Sequence, residues 1–328
     1  MKVADLKEVL TLPFSIKKSF APITEYIYVS ANLIKATDME SYIEVKTEKL
    51  LPFQGCVLSE QLKTFLTSMD KEADLDFIVE KNNVLSIRYN KRNSFSVPME
   101  SLDNFPDSPS LKYTEDSFFS KVDITNELLE TFERANRFAS DSDVSFNGLF
   151  LKENIVYSSN RESVYREKLN IENTSSVIIP KNLIKYILKF KEFFTTIEIH
   201  KHGFKIMGDY STLYFPNFSE NTMPKFDAVL DNINNVLTIP LTEEFKSSIN
   251  RISLFNDTVN LSIKNNILNI YIDNINESIE LEQEVEKEVS FKFNILYLKT
   301  LFNMGDSLIV KTAKDSGKIF AVGIDTDK

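Results

Sequence analysis

Two histidines, His200 and His202, flank Lys201 in a stretch that reads as a strand, where alternation puts both on one face. A zinc site needs more ligands than that pair, and the single Cys56 is the one soft donor left. We therefore expect both histidines on a solvated strand face and no metal. One cysteine also excludes a disulfide framework and suits a reducing cytoplasm. Serine hydrolysis would need a nucleophile in a sharp turn beside one of those histidines, and no GxSxG run occurs. Cradling a phosphate on backbone amides needs glycine; only 7 are present, none in a GxGxxG or Walker-type spacing. Paired carboxylates remain, but among 48 acids some proximity is inevitable and no single pair is informative. With no catalytic set, the expectation is a binding protein that is not an enzyme and needs no cofactor.

The elements that would position such a binding surface repeat along the chain. Helix-like amphipathic segments begin near Lys7, Ile124 and Leu241. A second set begins at Ser59, Pro180 and Phe293, and each member is followed by strand, polar turn and strand: FIVEKNNVLSIRYN, IEIHKHGFKIMGDY and LIVKTAKDSGKIFAVGI. Between the two helices of each unit lie further alternating runs, YIYVSANLIKAT, NGLFLKENIVYSS and VNLSIKNNILNIYI, with pairs such as Asn265-Asn266 marking the turns. Helix, strands, helix, strands occurs three times. The fold class is therefore α+β, three repeated domains with two helices packed on antiparallel sheet in each, at 1–120, 121–235 and a shortened 236–328. Three unrelated α+β domains of equal size are the alternative. The acid-rich stretches at 113–121 and 231–235 fit as linkers. No apolar run approaches bilayer length and the first residues lack a signal peptide's apolar stretch, so no membrane partner is expected and the cytoplasm is the natural location.

A formal charge of -10 argues against nucleic acid only if charge is evenly spread. The six helical segments hold 13 basic and 7 acidic residues, Lys7 and Lys189 among the bases. The basic set expected to face a phosphate backbone is Lys17, Lys18, Lys63, Arg134, Arg137, Lys181, Lys185, Lys191, Lys246, Arg251 and Lys299. Cationic helices on one side and an anionic sheet on the other would hold duplex DNA by its phosphates and repel it elsewhere. Ordinary solvated lysine faces would give the same count.

With the triplicated unit in place, the chain resembles the bacterial-type DNA polymerase sliding clamp. KATDMESYIEV (Lys35 to Val45), RYNKRNSFSVPMESLDNFPDSP (Arg88 to Pro109), VSFNGLFL (Val144 to Leu151), VIIPKNLIKYI (Val177 to Ile187) and MPKFDAVL (Met223 to Leu230) resemble family segments in the same order and spacing. The resemblance implies a processivity factor that encircles duplex DNA as a head-to-tail homodimer of six domains. It places Phe105, Leu254 and Phe255 at the dimer interface. It also implies an apolar pocket for short peptide motifs of the replicative polymerase and clamp loader, lined by Phe146, Ser159, Val164, Pro224, Val229, Asn294 and Tyr297. Where the family has a Thr-Asp-Gly-His-Arg-Leu run, this chain has Ser159-Asn160-Arg161-Glu162-Ser163-Val164, and Ala228 stands where many clamps carry Arg. The final residues, Gly323 to Lys328, differ from the family's apolar tail, and the drift with the Asn- and Lys-rich composition suggests a phage or other divergent source. Two rivals stay open: an acidic phage structural or DNA-mimic protein, which would not need cationic helices, and a carboxylate-dependent hydrolase, which would need a perturbed acid pair in a cleft.

Overall fold

A computed structural model describes residues 1–16, 19–90, 92–160, 164–171, 176–216, 224–230, 233–302, 306–313 and 319–323. Contacts divide it into two compact units. The first comprises Met1–Glu133, Asn147–Val156 and Arg166–Thr222; the second comprises Arg134–Phe146, Tyr157–Tyr165 and Met223–Lys328.

The first unit is built on one eleven-stranded antiparallel sheet. Its order is Asp76–Glu80, Val84–Tyr89, Asn93–Glu100, Gly55–Leu58, Tyr26–Ser30, Leu33–Thr37, Tyr42–Lys46, Ser211–Pro216, Gly203–Met207, Thr196–His200 and Phe118–Asp123. The seam between early and late chain runs Val45–Ser211, Glu44–Thr212, Ile43–Leu213 and Tyr42–Tyr214, so the sheet passes unbroken from one expected repeat into the next. Helices α1 (Val3–Leu10), α2 (Ser59–Ser68) and α4 (Lys181–Lys189) bury residues at helical spacing: Val3, Leu6 and Leu10; Leu62, Phe65 and Leu66; Leu183, Ile184 and Ile187. Each such side chain taken out of water stabilises the fold by about 1.5–3 kcal/mol. Helix α3 (Asn126–Asn136) begins in this unit and its last turn belongs to the second.

The second unit holds α5 (Phe226–Leu230), α6 (Glu243–Ile252) and α7 (Ile295–Leu301). A three-stranded sheet orders Ile233–Pro240, Ser307–Ala313 and Ile319–Gly323, and a long hairpin pairs Thr258–Ile272 with Ile275–Asn294. Phe245, Ile249 and Ile252 of α6 and Ile295, Leu298 and Leu301 of α7 join one core with Leu237, Ile239, Leu261, Ile270 and Val310. Both helices start on side-chain caps: Thr242 Oγ1 accepts the Phe245 N–H at 3.2 Å and Asn294 Oδ1 accepts the Leu296 N–H at 2.9 Å.

Three sequence expectations change. The helix expected from Lys7 lies earlier, because Pro13 lacks the donor an ongoing helix needs and instead starts a short 3-10 turn, Pro13–Ser15. The Asn265-Asn266 pair is no turn. Asn265 takes a left-handed φ of 57° and forms a bulge at which the register shifts, within a strand of 15 residues that runs from Thr258 through to Ile272. The stretch at 113–121, expected as a linker, already holds the 3-10 turn Glu115–Ser117 and the start of the strand Phe118–Asp123.

Candidate functional site

Of the basic set, Lys63, Lys185 and Lys191 stand exposed on the first unit, the first two on α2 and α4. Lys181 is only 5% exposed, so its ammonium cannot meet a phosphate and it leaves the set. It is the first residue of α4, directly after the strand Ser176–Pro180. On the second unit Arg137 is exposed and donates to Thr300 Oγ1 at 3.4 Å. Arg134 is half-buried and donates from Nε to Tyr165 Oη at 3.3 Å, and Lys299 donates to Ser253 Oγ at 2.7 Å. Lys246 pairs with Glu243 at 3.2 Å. Arg251 reaches both carboxylate oxygens of Glu277, which also accepts a short hydrogen bond from Ser248, so this arginine is committed within the fold. Lys17 and Lys18 lie outside the described residues.

The pocket residues assemble unevenly within the second unit. Tyr297, in the first turn of α7, stacks on Phe138 at 4.8 Å and 22°, and its phenol oxygen accepts from Asn160 Nδ2 at 2.5 Å. Tyr157 stacks on Phe226 at 5.1 Å and 7° and makes a short hydrogen bond to Asp227, which ties α5 to the chain just before Ser159. Phe146, Val164 and Pro224 are half-buried, Asn294 is exposed but spent on capping α7, and the Val229 side chain lies outside what the structure describes. Ser159 is 2% exposed, and its neighbour Asn160 is half-buried with its amide bonded to Tyr297.

The interface candidates also separate. Leu254 and Phe255, just past α6, are 79% and 70% exposed. Phe105 is covered inside the first unit, 5.6 Å from Tyr28 and 6.1 Å from Tyr42 between ring centroids, so its ring belongs to the core and not to a free surface.

The histidine expectation fails for His200, which is 3% exposed; His202 lies in the turn beyond the strand end and is exposed. The fold does bring a serine to His200: Ser117 Oγ lies 2.9 Å from Nδ1, with Glu198 Oε2 3.4 Å from Nε2. Yet Ser117 lies within reach of the carbonyls of Lys112 and Thr114, both at 2.9 Å, and accepts the Thr114 N–H at 3.1 Å. Tyr113 and Phe118 close over the imidazole edge-on at 5.3 and 5.7 Å. A buried serine so occupied fastens the segment 112–117 to the sheet and offers no approach to a substrate. The described carboxylates whose titration shifts also give no acid catalyst. Asp5 is held low by its hydrogen bond to Lys49 and Glu277 by Arg251, while for Glu198 the bond and charge of Lys205 outweigh the upward push of burial. An acid–base pair needs one member pushed up. Burial drives the Cys56 thiol up to about 12, which leaves it an inert core group.

No family model matches the chain. A β sliding clamp of Helicobacter pylori is 23% identical over a 336-residue alignment that covers 96% of this chain and 84% of that protein. A second Helicobacter pylori β sliding clamp is 24% identical over 282 residues, 79% of this chain and 74% of its own. Among solved structures, the Caulobacter crescentus β sliding clamp superposes with a TM-score of 0.79 at 17% identity, covering 97% of this chain and 93% of that one. The Helicobacter pylori β clamp, solved with a DNA ligase peptide bound, gives 0.76 at 17% identity over 95% and 92%.

The chain has the fold of a bacterial β sliding clamp.

At low identity it is similar to those clamps along nearly its whole length. Against the clamp fold, the residues that sequence reasoning missed are Phe138 and Asn160, which hold Tyr297, and Tyr157 and Phe226, which stack on each other. Phe138 was within reach, since it continues the apolar spacing of Phe132 and Ala135 just past the end of α3; Asn160 had no signal beyond standing next to Ser159.

Proposed function

We infer that the chain is a DNA polymerase sliding clamp, a processivity factor that encircles duplex DNA and tethers the replicative polymerase. The observation that carries this is end-to-end likeness: the clamp relative aligns over 96% of the chain in sequence, and clamp structures match 95% or more of it. A ring slides because cations touch phosphates without reading bases. The tether raises the polymerase's effective concentration at the primer end. The clamp itself catalyses no reaction and takes no cofactor.

In this reading the chain has three domains, 1–120, 121–235 and a shortened 236–328, and two copies close head to tail, hiding sheet edges that would otherwise invite aggregation. The exposed pair Leu254 and Phe255 supports that interface. Lys63, Arg137, Lys185 and Lys191 are the accessible cations suited to the duplex, with Lys17 and Lys18 as further candidates on sequence grounds. Short peptides of the polymerase and clamp loader dock against Phe146, Val164, Pro224, Val229 and Tyr297; the ligase peptide bound to the Helicobacter pylori clamp supports such a mode. A cytoplasmic setting is consistent with the described residues, in which no helix is long and apolar enough to cross a membrane.

The test is retention on DNA. Loaded on a nicked circular plasmid with a bacterial clamp loader and ATP, the protein should stay bound through gel filtration and run off once the plasmid is linearised. Equal loss from circular and linear DNA would overturn topological binding.

A further inference from the structure

Tyr297 is clasped on two sides. Phe138 stacks on its ring at 4.8 Å, and Asn160 donates an amide N–H to its phenol oxygen at 2.5 Å. Phe138 is itself backed by Tyr165 at 5.3 Å, whose hydroxyl accepts from Arg134 at 3.3 Å. All five residues belong to the second unit. The polarity of the Asn160 bond matters. An amide N–H only donates, so the phenol oxygen is the acceptor and its own proton points elsewhere. Among the described residues that proton meets no acceptor.

We propose that Asn160 is a positioning residue of the peptide pocket: together with Phe138 it holds Tyr297 so that the phenol proton is presented to a backbone carbonyl of the bound peptide. This rests on reading the surroundings of Tyr297 as the peptide-binding site. The side chain is ordered before the peptide arrives, so binding loses little rotamer freedom. Two consequences separate this role from simple packing. Asn160→Ala releases the ring but leaves the phenol proton available. Asn160→Asp supplies an acceptor, draws the phenol proton to the carboxylate and takes it from the peptide, so the near-isosteric change is the worse one.

The probe is the fluorescein-labelled DNA ligase peptide of the Helicobacter pylori complex, titrated with full-length protein and read by fluorescence anisotropy. Losing one neutral hydrogen bond should weaken binding about fivefold in Asn160→Ala, and Asn160→Asp should weaken it about tenfold or more, with dimer mass unchanged and cooperative unfolding retained. In a Tyr297→Phe background Asn160→Ala should add no further loss, because both changes remove the same bond. Unchanged affinity in Asn160→Ala, additive losses in the double variant, or Asn160→Asp binding as well as Asn160→Ala would each overturn the assignment. A wild-type protein that ignores the peptide altogether would overturn the pocket reading beneath it, an outcome visible before any variant is made.

Discussion

Lys181 opens α4 with its side chain covered, whereas Lys185, one turn on, is exposed. Charge counting treats the two alike; solvent does not. Lys185→Glu should lower retention on circular DNA and flatten its salt dependence, since one phosphate contact is lost and one repulsion gained. Lys181→Glu should instead lower the urea midpoint, at a cost of about 3 kcal/mol for placing the wrong charge in a buried position. Equal effects of the two on retention would return Lys181 to the DNA face. Glu277 gives a prediction with a definite sign. Its bonds to Arg251 and Ser248 hold the carboxyl below its usual 4.5. A depressed folded value means that the stabilisation is present above the unfolded value and disappears as pH falls through the folded one. The stability gap between the wild type and Glu277→Gln, from urea unfolding, should therefore be open at neutral pH and close below 4.5. A gap that widens on acidification would contradict the ion pair. Neither pairing was legible in the sequence: Arg251 and Glu277 lie 26 positions apart, and only folding brings hairpin and helix together.

Helices were legible to within a few residues because their apolar spacing is written locally. Ser59 does start α2, and Lys181, one residue past the expected Pro180, starts α4. Turns were less so, because a polar pair is compatible with a hairpin and with a bulge, and the partner strand decides. At Asn265 pairing resumes on the far side, Ile267 with Glu280, so the strand continues instead of reversing. The left-handed backbone there suits asparagine and penalises a β-branched residue. Asn265→Val should destabilise the protein by about 1–2 kcal/mol in urea denaturation, whereas Asn265→Gly should be nearly neutral. A harmless valine would mean that the bulge has relaxed into an ordinary ladder.

For the whole molecule, light scattering should give a mass near twice 37.8 kDa. Leu254→Asp combined with Phe255→Asp should halve it without unfolding the chain, because both side chains are exposed in the single copy. Phe105→Ala should do the opposite and cost about 3–5 kcal/mol of stability, as expected of an aromatic removed from a core. A dimer that survives the double aspartate change would place the interface elsewhere.

The alternation of helix and strand patterns determined that this chain is an α+β protein, and the order of short segments pointed to the clamp fold. These are local properties, set by side-chain periodicity and backbone propensity. Which lysine is covered, which aromatic is core, and which asparagine grips Tyr297 depended on segments far apart in sequence meeting in space. Burial and hydrogen-bond polarity are properties of that meeting, so the tertiary structure alone decided them.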